Sequence, residues 1–164
     1  MYYKILKLED NKYNFELNKN NDLEIISKLF ELNSINFRKV DNILELNNIN
    51  YISSFSDFKN NYEFPYFDYD KIFNWLRDLT EQLNYLESNK KYISYVSNND
   101  FLIFNDKLIL INNEKILDIN NNSIKISKPY SKKEEYLPIE YEKNNELPLI
   151  TNYLTGNYSI AKFL

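Results

Sequence analysis

The stretch from Asp70 to Asp118 constrains the fold of this chain more than any other. Ile72, Leu76, Leu79, Leu83 and Leu86 recur at intervals of four, three, four and three, with Phe73 and Trp75 widening the stripe. That is the period of a helix with one buried face. Asp68 or Asp70 stands where a helix cap belongs, and Arg77 and Glu81 make an i,i+4 pair. Phe101–Phe104 and Leu108–Ile111 follow, wholly apolar and separated by Asn105-Asp106-Lys107. Two such runs around a three-residue polar turn predict a buried hairpin.

The rest of the chain supplies smaller elements. Tyr2–Leu8 and Tyr13–Leu17, flanking Glu9-Asp-Asn-Lys12, read as a hairpin of half-buried strands. Asn21 with Glu24 offers a variant capping box for a helix whose apolar face is Leu23, Ile26, Leu29 and Phe30. Phe37–Val40, Ile43–Leu46 and Ile49–Phe55 read as two or three short strands. Lys59–Tyr69 reads as a connection, because Asn60-Asn61 breaks structure and Pro65 holds Phe64 extended. Ile124–Ile126 fits one more strand, Ser127–Glu135 a charged loop, and the end of Asn152–Leu164 a helix. The expected fold class is α+β, a small antiparallel sheet with one helix followed by a mainly helical part with a short hairpin. The expected segments are 1–59, a connection over 60–69, and 70–164.

Composition excludes several kinds of chemistry. The 164 residues suffice for one domain or two small lobes, and 43% hydrophobic with 16% aromatic content sets the chain apart from disordered ones. There is no cysteine for a disulfide or thiolate, and no histidine as general base or metal ligand. The only glycine is Gly156, so a glycine-rich phosphate loop is impossible. The 28 asparagines, with abundant Lys, Ile, Tyr and Phe, read as the imprint of an A+T-rich genome. A net charge of −4 weighs against a dedicated nucleic-acid binder, and Glu134-Glu135 cancels the small patch of Lys128, Lys132 and Lys133 beside Tyr130. The apolar run of Met1–Glu9 is too short for a signal peptide, and no stretch reaches the 18 apolar residues of a membrane span. The expectation is an intracellular, cytoplasmic protein with no membrane partner, no cofactor and no resident metal. Asp68 and Asp70 read as caps rather than a metal pair, and Glu134, Glu135, Glu140 and Glu142 as solvated charges rather than hydrolytic carboxylates.

Hairpin, helix, strand pair, long helix and apolar hairpin, in this order, resemble a protein kinase whose small lobe has lost its first strand or two. Aligned on Phe101-Leu-Ile-Phe104, the catalytic-loop triplet of the family falls on Ile93-Ser94-Tyr95, and the metal-binding asparagine of that loop on Asp100. Tyr95 thus occupies the place of the catalytic aspartate, and a phenol with a reference pKa of about 10 cannot serve as that base. The metal-binding motif after the hairpin falls on Asn112-Asn113-Glu114, without its aromatic or its glycine. In the small lobe, Glu16 stands nearest the expected lysine, and Glu24 or Glu31 at the helix glutamate. Tyr136-Leu-Pro138-Ile-Glu140 resembles the family's APE segment, and Asn157-Tyr158-Ser159-Ile160-Ala161 the start of its next helix.

The resemblance implies a bilobal fold without phosphoryl transfer, similar to the shortened, degenerate kinase-like proteins of large DNA viruses. It implies a cytoplasmic or virion location, and a scaffold or structural subunit that binds another protein or itself. The missing last helices of the large lobe would leave the central helix partly uncovered. Tyr62, Phe64, Tyr66, Phe67 and Tyr69 are the candidate binding residues, since aromatics bury much area while freezing few rotors. The alternative is a residual nucleotide binder or weak phosphotransferase holding a metal through Asp100 and Glu114.

Overall fold

The structure, a computed structural model, describes residues 3–17, 23–61, 68–144 and 146–163. In chain order the elements are β1 (Tyr3–Glu9), β2 (Lys12–Leu17), α1 (Leu23–Leu32), β3 (Phe37–Val40), β4 (Ile43–Asn47), β5 (Ile52–Ser54), α2 (Phe55–Asn61), α3 (Tyr69–Ser88), β6 (Lys91–Ile93), β7 (Phe101–Phe104), β8 (Lys107–Leu110), β9 (Ile116–Asp118), β10 (Ser123–Ile126), α4 (Ile139–Lys143), β11 (Leu149–Asn152) and α5 (Thr155–Phe163). The fold is mixed α+β, with small antiparallel sheets. None of the described helices is long and apolar enough to cross a membrane. The chain forms two compact units, Met1–Gln82 with Phe101–Asn113, and Leu83–Asp100 with Glu114–Leu164. The division runs through α3.

In the first unit, β1, β2, β4 and β3 form one four-stranded sheet in that order. Residues 37–47 thus lie beside the N-terminal hairpin, whereas β5 leaves that sheet and pairs with β7. Helix α1 buries Leu23, Ile26, Leu29 and Phe30, the face its periodicity predicts; its expected cap Asn21 lies outside the described residues. Phe15 of the sheet, Phe30 of α1 and Phe104 of β7 meet edge to face, with centroids 5.1 to 6.3 Å apart. All three are fully buried, so this aromatic cluster joins the sheet to the hairpin.

The hairpin itself is tighter than its sequence suggests. Phe104 faces Lys107, so the loop has two residues, Asn105 and Asp106, rather than three. Both have positive φ, 47° and 69°, which gives a type I′ turn whose twist suits the flanking strands. Helix α2 takes the end of the expected 49–55 strand and the start of the expected connection at Lys59. Ser54 opens it, its hydroxyl accepting the Asp57 N–H at 2.9 Å and donating to the Asp57 carboxylate at 2.6 Å. Ser54 is thus the N-cap, and its reciprocal bond to Asp57 runs from the hydroxyl rather than from the backbone N–H of a capping box.

Helix α3 starts as expected, with the Asp68 carboxylate accepting the Asp70 N–H at 3.1 Å. Its most buried side, however, runs through Trp75, Asp78, Leu79, Gln82 and Leu86, while Ile72, Leu76 and Leu83 are half-buried and Phe73 is exposed. The two polar residues explain the rotation. β8 is the edge of its sheet. The Gln82 amide donates to Leu108 O at 2.8 Å and accepts Leu110 N–H at 2.9 Å, and the Asp78 carboxylate accepts Leu108 N–H at 3.4 Å. Gln82 stands in for a missing neighbour strand, which satisfies backbone groups that burial would otherwise orphan.

The second unit holds the last turns of α3, the β6–β9 pair, the β10–β11 pair, α4 and α5. Its core gathers Tyr95, Ile126, Leu137, Tyr141 and Leu149. Gly156, in the first turn of α5, sits against β6: a Cβ there would come within 2.1 Å of the Ile93 carbonyl oxygen. No glycine has positive φ. The chain's single glycine is therefore required for close approach, not for backbone freedom.

Candidate functional site

The segment over residues 93–100 leaves β6 and ends at a 3-10 turn, Asn98–Asp100. Its backbone is tied down at each step. Ile93 pairs with Ile116 of β9. The Ser94 N–H and hydroxyl both donate to Lys115 O, at 2.9 and 3.1 Å. The Ser94 carbonyl accepts the Tyr141 phenol at 2.9 Å. Burial, with the Glu140 charge and the neighbouring phenols of Tyr130 and Tyr95 behind it, raises the Tyr141 pKa, so this donor keeps its proton. The Val96 N–H donates to Ser159 Oγ at 2.8 Å, which explains the buried serine of α5.

At the centre lies an ion pair. Lys115 Nζ is 2.7 Å from Asp100 Oδ2, with 11% of the lysine side chain exposed and 2% of the aspartate. The same oxygen accepts the Ser97 N–H at 2.6 Å and the Ser97 hydroxyl at 3.1 Å, while Lys115 also reaches Ser97 Oγ at 3.3 Å. The ammonium rests over the Tyr95 ring, 4.0 Å from its centroid. Burying two charges is tolerable only when they are paired and hydrogen-bonded, and the ring adds an electrostatic contact to the cation. Tyr95 is in turn wedged edge-on between Tyr130 and Tyr141.

The other candidate positions divide between the units. Asn112 is buried and Asn113 half-buried in the first, whereas Glu114 lies in the second, 3.6 Å from the exposed ammonium of Lys128. Among the described residues no three acidic side chains converge as a metal site. Tyr62, Phe64, Tyr66 and Phe67 lie outside the described residues. Tyr69 is 76% exposed and Phe73, one turn on, 67%.

No protein-family model matches the chain, and no curated protein is similar to it.

The site's chemistry must therefore be read from its own geometry. A carboxylate oxygen engaged by an ammonium, an amide and a hydroxyl is a structural acceptor; a divalent cation would have to displace the lysine. The tyrosine beside it offers a ring face to the ammonium. Lys115 is the member that sequence reasoning did not single out. Nothing in Asn113-Glu114-Lys115-Ile116 distinguishes it from a surface lysine, and only the β6–β9 pairing brings it to Asp100.

Proposed function

We propose that this chain is a catalytically inactive, kinase-like module that acts by binding another protein or a second copy of itself, as a scaffold or structural subunit of a larger assembly. The observation that carries the reading is Tyr95, which holds the place of the catalytic aspartate and packs under Lys115 beside the buried Asp100. Residues that should face substrate and metal are spent on holding a loop. Two further features support it. Residues 37–47, though not β5, join the N-terminal hairpin in one sheet, a partial match to a kinase small lobe. A nucleotide gripped by small-lobe residues on one side and the loop after the hairpin on the other would lie between sheet and hairpin, where Phe15, Phe30 and Phe104 fill the space. The exposed pair Tyr69 and Phe73 is the described part of the proposed binding face.

Thermal unfolding with and without Mg-ATP tests this. A ligand at about 100 times its dissociation constant adds about 2.7 kcal/mol, roughly 5–10 °C at this length. The reading predicts no shift in millimolar nucleotide. A metal-dependent rise in the midpoint would overturn it.

A further inference from the structure

Three sheet edges of the first unit are guarded. β8 is covered by Gln82 and Asp78. β1 carries Lys4, Lys7 and Glu9 and a register shift between Lys7 and Glu9, and β3 carries Arg38 and Lys39. These are the devices by which proteins keep edges from pairing. β11, in the second unit, has no such cover among the described residues. Its four residues, Leu149-Ile-Thr-Asn152, are uncharged. Leu149 turns into the core, while Ile150 is 66% exposed on the opposite face.

The open side of this strand can be read from its ladder. The Tyr153 N–H donates to Asn122 O at 3.2 Å, one step beyond the Asn152–Ser123 pair. Bonded and non-bonded pairs alternate in an antiparallel ladder, so Thr151 and Leu149 also turn their backbone groups to β10. Those of Ile150 and Asn152 point away from it, and no described residue bonds to them. A row of unpaired amides and carbonyls takes one kind of occupant, an extended backbone.

We propose that β11 pairs antiparallel with β11 of a second copy of this chain, on a two-fold axis at Ile150. An axis perpendicular to a sheet must pass through a residue facing its own copy, and Ile150 is the outward-facing residue near the strand's middle. Each Ile150 N–H then meets the Ile150 carbonyl of the other copy, and each Asn152 N–H meets the Pro148 carbonyl of the other. Charge permits the self-pair. An uncharged strand brings no like charges together, whereas β3 paired with itself would appose its own cations. Lys125, opposite Ile150 on β10, would lie three strand spacings from its copy, about 14 Å. That exceeds the screening length of about 8 Å at physiological salt. The two exposed isoleucines would bury each other at the axis. This inference does not depend on the kinase-like reading, and nucleotide binding has no bearing on it.

Sedimentation velocity of the full chain over a concentration series tests the proposal. The wild type is expected to shift from monomer to dimer with concentration. Ile150→Lys and Ile150→Pro are expected to stay monomeric with unchanged circular dichroism. The proline is informative because the Ile150 N–H faces outward, so its loss spares the β10–β11 ladder. The double variant Tyr69→Ala, Phe73→Ala should dimerise as the wild type does. A wild type that stays monomeric throughout, either folded Ile150 variant dimerising normally, or loss of the dimer in the Tyr69, Phe73 variant would overturn it.

Discussion

Two buried aspartates of this chain differ in their partners. Asp100 has a lysine at 2.7 Å and two further donors on one oxygen. Asp78 has Lys107 at 3.4 Å and the Leu108 N–H at 3.4 Å, contacts too long to offset its burial. Burial therefore raises the Asp78 pKa above its ordinary 3.8, with Lys107, the Leu108 N–H and Arg77 opposing it. The sign of the linkage follows. The folded chain holds this proton more tightly than the unfolded one, so its favourable contribution is fully present below pH 3.8 and lost as pH rises through the raised folded value. Asp78→Asn keeps an oxygen for the Leu108 N–H and removes the charge. Urea unfolding at several pH values should show a steeper acid limb in this variant, whose stability gains on the wild type as pH rises, with neutral-pH stability equal to or above that of the wild type. An unchanged limb would show that Asp78 does not titrate as its burial demands. Such buried acids were not legible as buried, because carboxylates on an amphipathic helix are expected on its wet side.

At the scale of elements, period and turn chemistry were good guides, and close approach was not. The α1 face, the central helix and its Asp68 cap, the 101–110 hairpin and the N-terminal hairpin all follow from spacing. β11, β6, β9 and α4 did not stand out, since elements of three to five residues are too short to show a period. The asparagines gain a structural role that composition alone did not suggest. Asn11, Asn48, Asn105, Asn121 and Asn122 all have positive φ. In a chain with one glycine they occupy the left-handed turn positions where glycine is usual, since their short amides hydrogen-bond locally. Gly156 is thereby left for packing. A methyl group there must push α5 off β6, because the atom it meets is a backbone oxygen at 2.1 Å. Gly156→Ala should cost about 1–3 kcal/mol in chemical denaturation, the usual penalty of an overfilled contact. A loss below about 0.5 kcal/mol, typical of open surface sites, would mean that α5 does not pack as described.

For the whole molecule, the order of elements was legible and the use of the central site was only half so. The sequence shows the acid and the lack of any glycine loop. It does not show the ion pair, because Lys115 reaches Asp100 only through strands paired across more than twenty residues. The central claim is that Asp100 serves the fold. Guanidinium unfolding of Asp100→Ala tests that claim most directly. Far-UV circular dichroism should follow it, since the only tryptophan, Trp75, reports on the other unit. A structural partner removed from a buried pair leaves Lys115 uncompensated, and the expected loss is about 3 kcal/mol. Unchanged or increased stability would contradict the account, for that is how a carboxylate kept for chemistry at the fold's expense responds to its removal.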